Sequence, residues 1–287
     1  MAILDPLRGI KHRIQQVSLF GPPSTLLSRL KLALSYQEKP FRTILPWLVN
    51  SREFTNFTYD LEPLNILQLT GFIEVISQKK IEVIEGYIRE LQEDLALKDH
   101  IARLAAIVDK EAGADRETRY GRRLGWYAIV RALKPRLVIE TGVDKGLGSC
   151  VLSAALKKNA EEGNKGRLYA LDINPRAGYF LQGEYAKFGE MVYGDSIESL
   201  SKMKDPIDIF INDSDHSQEY EAREYETIES RLSPNAVVLG DNSHCSPKLY
   251  EFARRTGRHF LFFQEVPKDH WYPGGGIGVA YRKARPV

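Results

Sequence analysis

The segment Val138-Ile-Glu-Thr-Gly-Val-Asp-Lys-Gly-Leu-Gly-Ser149 joins a short apolar run to a glycine-rich turn. Glycines at such a turn open backbone conformations that are closed to other residues, and they let a ligand approach the main chain closely. The run before the turn predicts a strand, and the residues after it predict a helix. This placement indicates a cofactor site. The residues expected to contact the cofactor are Glu140, Gly142, Gly146, Gly148 and Ser149.

The spacing of the acid and the glycines narrows the choice of cofactor. The order is Glu-x-Gly-x-x-x-Gly-x-Gly, whereas dinucleotide-binding turns carry the tighter Gly-x-Gly-x-x-Gly that cradles a pyrophosphate. Two further strand ends carry acids, Asp172 and then Asp195 with Ser196. Asp172 is placed to accept hydrogen bonds from ribose hydroxyls, which suits NAD as well as other nucleosides. Each of these acids could instead cap the helix that follows it.

Short β-rich segments alternate with helical ones after Pro135. The predicted strands are residues 136–140, 167–171, 190–193, 207–211 and 236–239, and the predicted helices between them are residues 147–158, 176–188 and 218–232. Such alternation predicts a parallel sheet that is covered by helices on both faces. Residues 259–264 and 278–281 form two more predicted strands without room for a crossover helix. They are expected to form an antiparallel hairpin at the sheet edge.

The glycine turn, the strand-end acids and the terminal hairpin together resemble the class I S-adenosylmethionine (SAM) dependent methyltransferases, over about residues 136–282. The resemblance implies an α/β fold with a Rossmann-like sheet and SAM as the cofactor. It also implies that Glu140 and the glycines contact the amino-acid end of SAM, that Asp172 contacts the ribose, and that Asp195 and Ser196 contact the adenine.

Two acidic clusters follow the fourth and fifth predicted strands. They are Asp-Ser-Asp-His at residues 213–216 and Asp-Asn-Ser-His at residues 241–244. Because consecutive parallel strands end on the same side of a sheet, the clusters are expected to meet beside the cofactor. Carboxylate and amide oxygens suit Mg²⁺, so Asp213, Asp241 and Asn242 are the predicted metal ligands. The alternative is that both aspartates merely cap the helices after them.

This triad resembles that of the metal-dependent catechol and caffeoyl-coenzyme A O-methyltransferases, in which a basic residue three positions after the first aspartate removes the hydroxyl proton. That residue is His216 here, and histidine makes the chain more similar to the macrocin-type sugar O-methyltransferases. A divalent ion stabilises an alkoxide, and an imidazole can accept its proton near neutral pH. The resemblance therefore implies methyl transfer to a hydroxyl of a sugar-bearing or polyketide-type natural product, with Asp213 beside both the cofactor and the metal.

Two other functions remain open at this level. An NAD-dependent oxidoreductase would share the nucleoside-binding half of the pattern, although the glycine spacing and the acidic triad do not favour it. A SAM-binding protein that no longer transfers methyl groups would share nearly all of it.

The chain before residue 134 has helical periodicity, including an amphipathic stripe from Ile81 to Leu95. We expect residues 1–133 to form a lid or an oligomerisation region and residues 134–287 to form the catalytic domain. Residues 54–60 and the pair Arg122 and Arg123 are candidate lid contacts to the substrate. Residues 268–276, with three consecutive glycines, are a candidate substrate loop.

Composition excludes several other classes. The 287 residues carry a formal charge of +2 from 40 basic and 38 acidic side chains, so a nucleic-acid substrate is not expected. Cys150 and Cys245 are the only cysteines, which argues against a disulfide framework or a zinc site. No secretory leader or apolar stretch long enough to span a bilayer is evident, so the expected location is the cytoplasm.

Overall fold

The computed structural model describes residues 23–53, 57–107, 114–115, 117–241 and 243–283. The first half of this range is helical. Its helices are α1 (Pro23–Asn50), α2 (Pro63–Ser77), α3 (Ile81–Gln92), α4 (Leu95–Ile107) and α5 (Arg123–Leu133).

Strands and helices then alternate as the sequence predicts. The strands are β1 (Leu137–Thr141), β2 (Arg167–Asp172), β3 (Gly189–Tyr193), β4 (Ile207–Asn212), β5 (Leu232–Gly240), β6 (His259–Gln264) and β7 (Gly276–Tyr281). The helices among them are α6 (Leu147–Glu161), α7 (Ser196–Lys202), α8 (Gln218–Glu229) and α9 (Lys248–Arg255).

The seven strands form one sheet in the order β3-β2-β1-β4-β5-β7-β6. Strands β1 to β5 pair in parallel, and β7 lies antiparallel to both β5 and β6. The predicted Rossmann-like α/β fold with an antiparallel terminal hairpin is therefore confirmed. Parallel pairing brings the carboxyl ends of β1, β2, β4 and β5 to one edge, which is where ligands bind in such sheets.

Two apolar cores lie on opposite faces of the sheet. Along β1, Leu137 and Ile139 point into one core while Val138 points into the other. In β4, Phe210 and Ile211 divide in the same way. A strand covered on both faces is apolar at most positions, which explains the largely apolar segments in the sequence.

Helices α2 to α5 pack onto the sheet and share one of these cores. Leu69, Ile84 and Leu97 are completely buried in the same cluster as Val138 and Ile211. The middle of the predicted stripe is confirmed, because α3 buries Ile84, Ile88 and Leu91, whereas Ile81 and Leu95 at its ends are exposed. The division into a lid region and a catalytic domain at residue 134 stays a prediction.

Helix α1 differs from the others because most of its large apolar side chains are exposed. They are Leu26, Leu27, Leu30, Leu32, Leu34, Phe41, Leu45, Leu48 and Val49. Within the described residues, no helix combines the length and apolarity required to cross a bilayer. The oligomer expected from the helical region stays a prediction.

One predicted helix is wrong. Residues 176–188 form turns and a single short 3-10 segment, Tyr185–Lys187. Gly178 and Gly183 have φ angles of +76° and +62°, which a right-handed helix does not allow. The Gly178 amide instead donates to the Asp144 carbonyl at 2.7 Å, so this segment packs against the glycine turn. Helices α7 and α9, in contrast, were not predicted.

Candidate active site

A cavity of about 830 Å³ opens at the carboxyl edge of the parallel strands. Seven of the nine predicted cofactor residues line it, namely Glu140, Gly142, Gly148, Asp172, Asp195, Ser196 and Asp213. The other two, Gly146 and Ser149, do not. A cavity of this size accommodates an organic cofactor and a neighbouring substrate.

Gly142 brings the turn after β1 against the turn after β4. Its φ angle is +80°, and a Cβ added there would lie 1.9 Å from the Asp213 carbonyl oxygen. The Gly142 amide donates to the Leu171 carbonyl, and the Asp213 amide donates to the Thr141 carbonyl, both at 2.9 Å. Any side chain at this position would separate the two turns that form the floor of the cavity.

The remaining residues of the motif shape the turn. A Cβ at Gly148 would lie 2.2 Å from Glu140 Oε1, so glycine leaves the Glu140 carboxyl accessible from the cavity. Gly146 has a φ angle of +92° and immediately precedes α6. The Ser149 hydroxyl donates to Glu140 Oε2 at 2.5 Å. Gly146 and Ser149 therefore position Glu140 and the helix instead of facing the cavity.

Glu140 is an acid with only 1% of its surface exposed. Burial raises its pKa to about 7, although the Ser149 hydrogen bond and the charge of Arg123 oppose the shift. Arg123 also lines the cavity and is itself buried. This acid and arginine are complementary to the ammonium and carboxylate of an amino acid.

Asp172 holds the glycine turn as well as lining the cavity. Its Oδ2 accepts hydrogen bonds from the amides of Val143 at 2.8 Å and Asp144 at 3.0 Å. Its Oδ1 accepts one from the Asn174 amide at 2.8 Å. A carboxylate has about four acceptor positions, so one is left for a ligand hydroxyl.

Asp195 both caps a helix and lines the cavity. It accepts a hydrogen bond from the Glu198 amide at 2.9 Å as the N-cap of α7, and this bond holds the pKa of Asp195 below its usual value. The Tyr220 hydroxyl donates to its other oxygen at 3.0 Å. Tyr220 lines the cavity too, yet sequence reasoning missed it because it lies within α8, away from any strand end.

A buried glutamate fastens the turns around the cavity to one another. Glu224 accepts hydrogen bonds from Thr141 Oγ1 at 3.1 Å and from Ser214 Oγ at 2.8 Å. It also accepts hydrogen bonds from the Ser196 hydroxyl and from the side-chain amide of Asn212. Burial raises the pKa of Glu224, and these donors oppose the shift. The ends of β1 and β4 and the start of α7 are thereby held together. No sequence motif marked this residue.

The two strand-end aspartates do meet, but around an arginine. Arg122 Nη2 donates to Asp241 Oδ2 at 2.8 Å, and Arg122 Nε contacts Asp241 Oδ1. Arg122 Nη2 also lies 3.8 Å from Asp213 Oδ2. Burial and the charge of Asp241 raise the pKa of Asp213 well above its usual value, while Arg122 opposes the shift.

A third acid fixes the position of this arginine. Glu265, completely buried after β6, accepts the Arg122 amide at 2.6 Å through Oε1 and the Tyr59 hydroxyl at 3.0 Å through Oε2. Arg122 Nη1 lies 3.9 Å from Glu265 Oε2. Although burial acts against the charged form, the three carboxylates hold the pKa of Arg122 above its usual value.

The predicted magnesium site is not confirmed. Asp213 and Asp241 face a guanidinium, and Asn242 lies outside the described residues. Across the described ranges, no group of three or more histidine, cysteine or acidic side chains is arranged to hold a metal ion. The capping alternative fails as well, because the N-cap of α8 is Ser217 and that of α9 is Pro247.

His216, the predicted base, is exposed and lines the cavity together with Asp213 and Asp215. Asp215 accepts the Ser217 amide at 2.7 Å, which orders the turn that carries His216. His244 lines the same cavity from the turn after β5, and its Nδ1 lies 3.3 Å from the Asp241 carbonyl. The role of His216 stays a prediction.

Aromatic side chains close the other side of the cavity. Phe57 and Tyr59 line it from the helical half, and Tyr272 lines it from the loop at residues 268–276. The Phe57 and Tyr272 ring centroids are 5.4 Å apart. Trp271 packs on Phe57 and Trp47, both at 5.1 Å, so it anchors the loop. Within the proposed lid, residues 54–56 lie outside the described residues.

Residues 139–243 match the model of a family described as a methyltransferase domain. No curated protein sequence matches the chain. Among solved structures, a candidate O-methyltransferase from Klebsiella pneumoniae is 16% identical, with a TM-score of 0.51, and the alignment covers 71% of this chain and 97% of that one.

Two O-methyltransferases in complex with a ligand are more distant in structure. The enzyme from Bacillus cereus, bound to S-adenosylhomocysteine (SAH), is 16% identical with a TM-score of 0.45, covering 69% of this chain and all of that one. TomG from Streptomyces achromogenes, which is bound to SAM and involved in tomaymycin synthesis, is 18% identical with a TM-score of 0.47. The alignment covers 67% of this chain and 91% of that one. Residues 139–243 are therefore similar to a methyltransferase domain, and the order of the strands is the one expected for a Rossmann-like sheet with an antiparallel terminal hairpin.

Proposed function

We propose that this protein transfers the methyl group of SAM to a hydroxyl oxygen of a small molecule, with His216 as the general base. The observation that carries the proposal is the continuity of one cavity. It runs from the glycine turn, where the cofactor is expected, to His216 and the aromatic side chains. Cofactor and acceptor would therefore lie side by side in one cavity, as direct group transfer requires.

The cavity residues fit SAM in order along the sheet edge. Glu140 and Arg123 would hold the ammonium and carboxylate of its amino-acid end, and the glycine at position 148 leaves the space that this group needs. Asp172 would accept a ribose hydroxyl. Asp195 and Tyr220 would contact the adenine, because they lie at the far end of the same edge, after β3 and in α8.

Bound SAM supplies an electrophilic methyl group on a sulfonium sulfur. His216 would accept the hydroxyl proton of the acceptor on its imidazole nitrogen. The acceptor oxygen would then form a bond to the methyl carbon as the carbon–sulfur bond breaks, which leaves SAH and a methyl ether. The main task of the protein is to hold oxygen, carbon and sulfur in line.

The acceptor in this proposal is a sugar-bearing or polyketide-type natural product. Phe57, Tyr59 and Tyr272 offer flat apolar faces for a sugar or a fused ring, and His244 offers a polar contact beside them. The magnesium ion predicted from the sequence is left out of the mechanism, because the Arg122 guanidinium is paired with Asp241 and lies 3.8 Å from Asp213, the two aspartates that would bind it.

Ligand binding tests the cofactor assignment first. Thermal unfolding with SAH or NAD should show stabilisation by SAH alone, since a ligand stabilises the fold only if it binds the native state. SAH release from SAM should then be measured against a panel of hydroxylated acceptors. Stabilisation by NAD instead would overturn the proposal, and SAH binding without turnover on any acceptor would favour a non-catalytic SAM-binding protein.

Replacing the base tests the mechanism. His216→Asn should lower kcat by about a hundredfold or more while leaving SAH affinity unchanged, because His216 is proposed to touch only the acceptor. The matched control is His259→Asn, which removes an exposed histidine from β6, far from the cavity. A His216→Asn enzyme with wild-type turnover would rule out this base.

A further inference from the structure

We infer that the Arg122 guanidinium takes the place of a divalent cation in this site, so that the two strand-end aspartates are neutralised by the protein itself. The inference rests on the proposed function, which assigns this cavity to SAM and a hydroxyl acceptor. It differs from the magnesium mechanism that the sequence predicts, and its test does not depend on methyl transfer.

The position of the charge is the first support. Arg122 touches Asp241 with two nitrogens, and its Nη2 lies 3.8 Å from Asp213 Oδ2. Its side chain is 11% exposed, and those of Asp213 and Asp241 are 14% and 10% exposed. A guanidinium keeps its positive charge at any pH that a protein tolerates, and its planar fork matches a carboxylate. The arginine therefore places its positive charge against Asp241 and near Asp213, on the two carboxylates that a shared ion would need.

The rigidity of the arginine is the second support. Its backbone amide is held by Glu265 at 2.6 Å, and Glu265 is held in turn by the Tyr59 hydroxyl at 3.0 Å. The guanidinium also lies over the Trp126 ring, 5.8 Å from its centroid. Arg122 directly precedes α5, so its main chain is fixed by the helix as well. A metal ion would therefore have to displace the Arg122 side chain, which is held in place by contacts on several sides.

The acidic cluster beside the cavity is the third support, because its buried negative charges require a nearby positive charge. Asp213, Asp241 and Glu265 are three acids in a largely buried cluster, and like charges buried together strongly disfavour the folded state unless a cation balances them. Arg122 supplies one positive charge to this cluster, which offsets part of the repulsion among the three acids, and it also lines the cavity. A bound acceptor would meet a fixed positive charge without any ion from solution.

Manganese titration tests the inference directly. Binding of Mn²⁺ to the SAH-saturated protein should be followed by electron paramagnetic resonance for the wild type, Arg122→Met and Arg122→Lys. We expect no site-specific binding to the wild type at sub-millimolar Mn²⁺, and an affinity higher by about tenfold or more for Arg122→Met, whose freed carboxylates suit a divalent ion. Arg122→Lys should behave like the wild type because it keeps the charge.

Two results would overturn the inference. One is wild-type Mn²⁺ binding at sub-millimolar concentration that Asp241→Asn abolishes, and the other is a folded Arg122→Met protein that gains no Mn²⁺ affinity. Thermal unfolding and SAH binding establish that each variant is folded. If Arg122→Met does not fold, the wild type and Asp241→Asn decide the question alone.

Chelator provides a separate readout once an acceptor is found. SAH formation by the wild type should be unchanged after removal of divalent ions with EDTA, and a loss that added Mg²⁺ restores would contradict the inference. Absence of methyl transfer on every acceptor would count against the proposed function but would leave the Mn²⁺ result intact. The two failures are therefore distinguishable.

Discussion

The cofactor half and the acceptor half of the cavity are assembled in different ways. Most of the cofactor half comes from one stretch, residues 140–196, in which the functional groups lie at or just after strand ends, and Arg123 and Tyr220 are added from two helices. The acceptor half combines side chains from six separate segments, among them Tyr59, Arg122, His216, Glu265 and Tyr272. A local motif can specify the first half. The second exists only after the helices, the sheet and the terminal hairpin have packed together.

Their acids are also stabilised differently. In the cofactor half, Asp172 and Asp195 accept hydrogen bonds from backbone amides. In the acceptor half, Asp213 and Asp241 face the guanidinium of Arg122, which comes from a distant part of the chain. Backbone donors are present in any folded turn, but a charged partner must be supplied by tertiary contact. Substitutions should therefore separate cofactor binding from acceptor chemistry.

The largest effect should come from Gly142, where the two halves touch. In Gly142→Ala, the added methyl would meet the Asp213 carbonyl at 1.9 Å, and alanine is strained at a φ of +80°. We expect unfolding free energy to fall by about 3 kcal/mol or more and SAH affinity to fall by about a hundredfold. Chemical denaturation and calorimetric titration with SAH measure both quantities.

Gly163→Ala is the matched control for backbone strain. Gly163 has a similar φ of +84°, but a Cβ there meets nothing within 4 Å. It should cost about 1 kcal/mol of stability and leave SAH affinity unchanged. If the two variants lost equal stability and both bound SAH normally, close contact between the two turns would not matter for the cofactor site.

The same contrast explains how far the sequence could be interpreted. The glycine turn and the acids Asp172 and Asp195 were found from strand-end position alone, since parallel strands all deliver their ends to one edge. The fold followed from the same alternation. The helix predicted at residues 176–188 does not form. Gly178 and Gly183 adopt left-handed conformations that let this segment pack on the glycine turn, and these conformations are incompatible with a right-handed helix.

Long-range partners were beyond such reasoning. Arg122 was considered as a lid residue, and nothing in its local sequence shows that it enters the acidic cluster between Asp213 and Asp241. Glu265 follows an apolar strand and Glu224 lies in a helix, and no local motif indicates a functional role for either acid. The partners of these two acids lie between 10 and 206 residues away along the chain. Only tertiary structure brings such pairs together.

A smaller effect, confined to the cofactor half, should appear in the pH dependence of SAH binding. Burial raises the pKa of Glu140 from its ordinary value of 4.5 to about 7 in the folded protein. The free protein therefore takes up a proton as pH falls below 7, and its stability falls as pH rises from 4.5 to 7. The ammonium of SAH should pair with the ionised carboxylate. SAH affinity should accordingly rise by about tenfold from pH 5.5 to 7.

Glu140→Gln tests whether this carboxyl, and not another acid, causes the pH dependence of SAH binding. The variant has no proton to release at this position, so its SAH affinity should be weaker and nearly independent of pH over the same interval. Titration calorimetry in buffers of different ionisation enthalpy would also count the proton released by the wild type. An equally steep pH profile in Glu140→Gln would show that another group controls binding.

The smallest effect should come from Tyr220, at the adenine end of the cofactor half. Tyr220→Phe removes one hydroxyl that donates to Asp195 Oδ2 at 3.0 Å, while Asp195 keeps its bond from the Glu198 amide. Because this hydroxyl is also proposed to contact the adenine, we expect its removal to cost about 1 kcal/mol of binding free energy, which corresponds to about fivefold in SAH affinity. Tyr250→Phe, at an exposed tyrosine of α9, should change nothing. If Tyr220→Phe instead lowered turnover at saturating SAM without weakening SAH binding, Tyr220 would belong to the acceptor half, and the adenine contacts would have to come from Asp195 and Ser196.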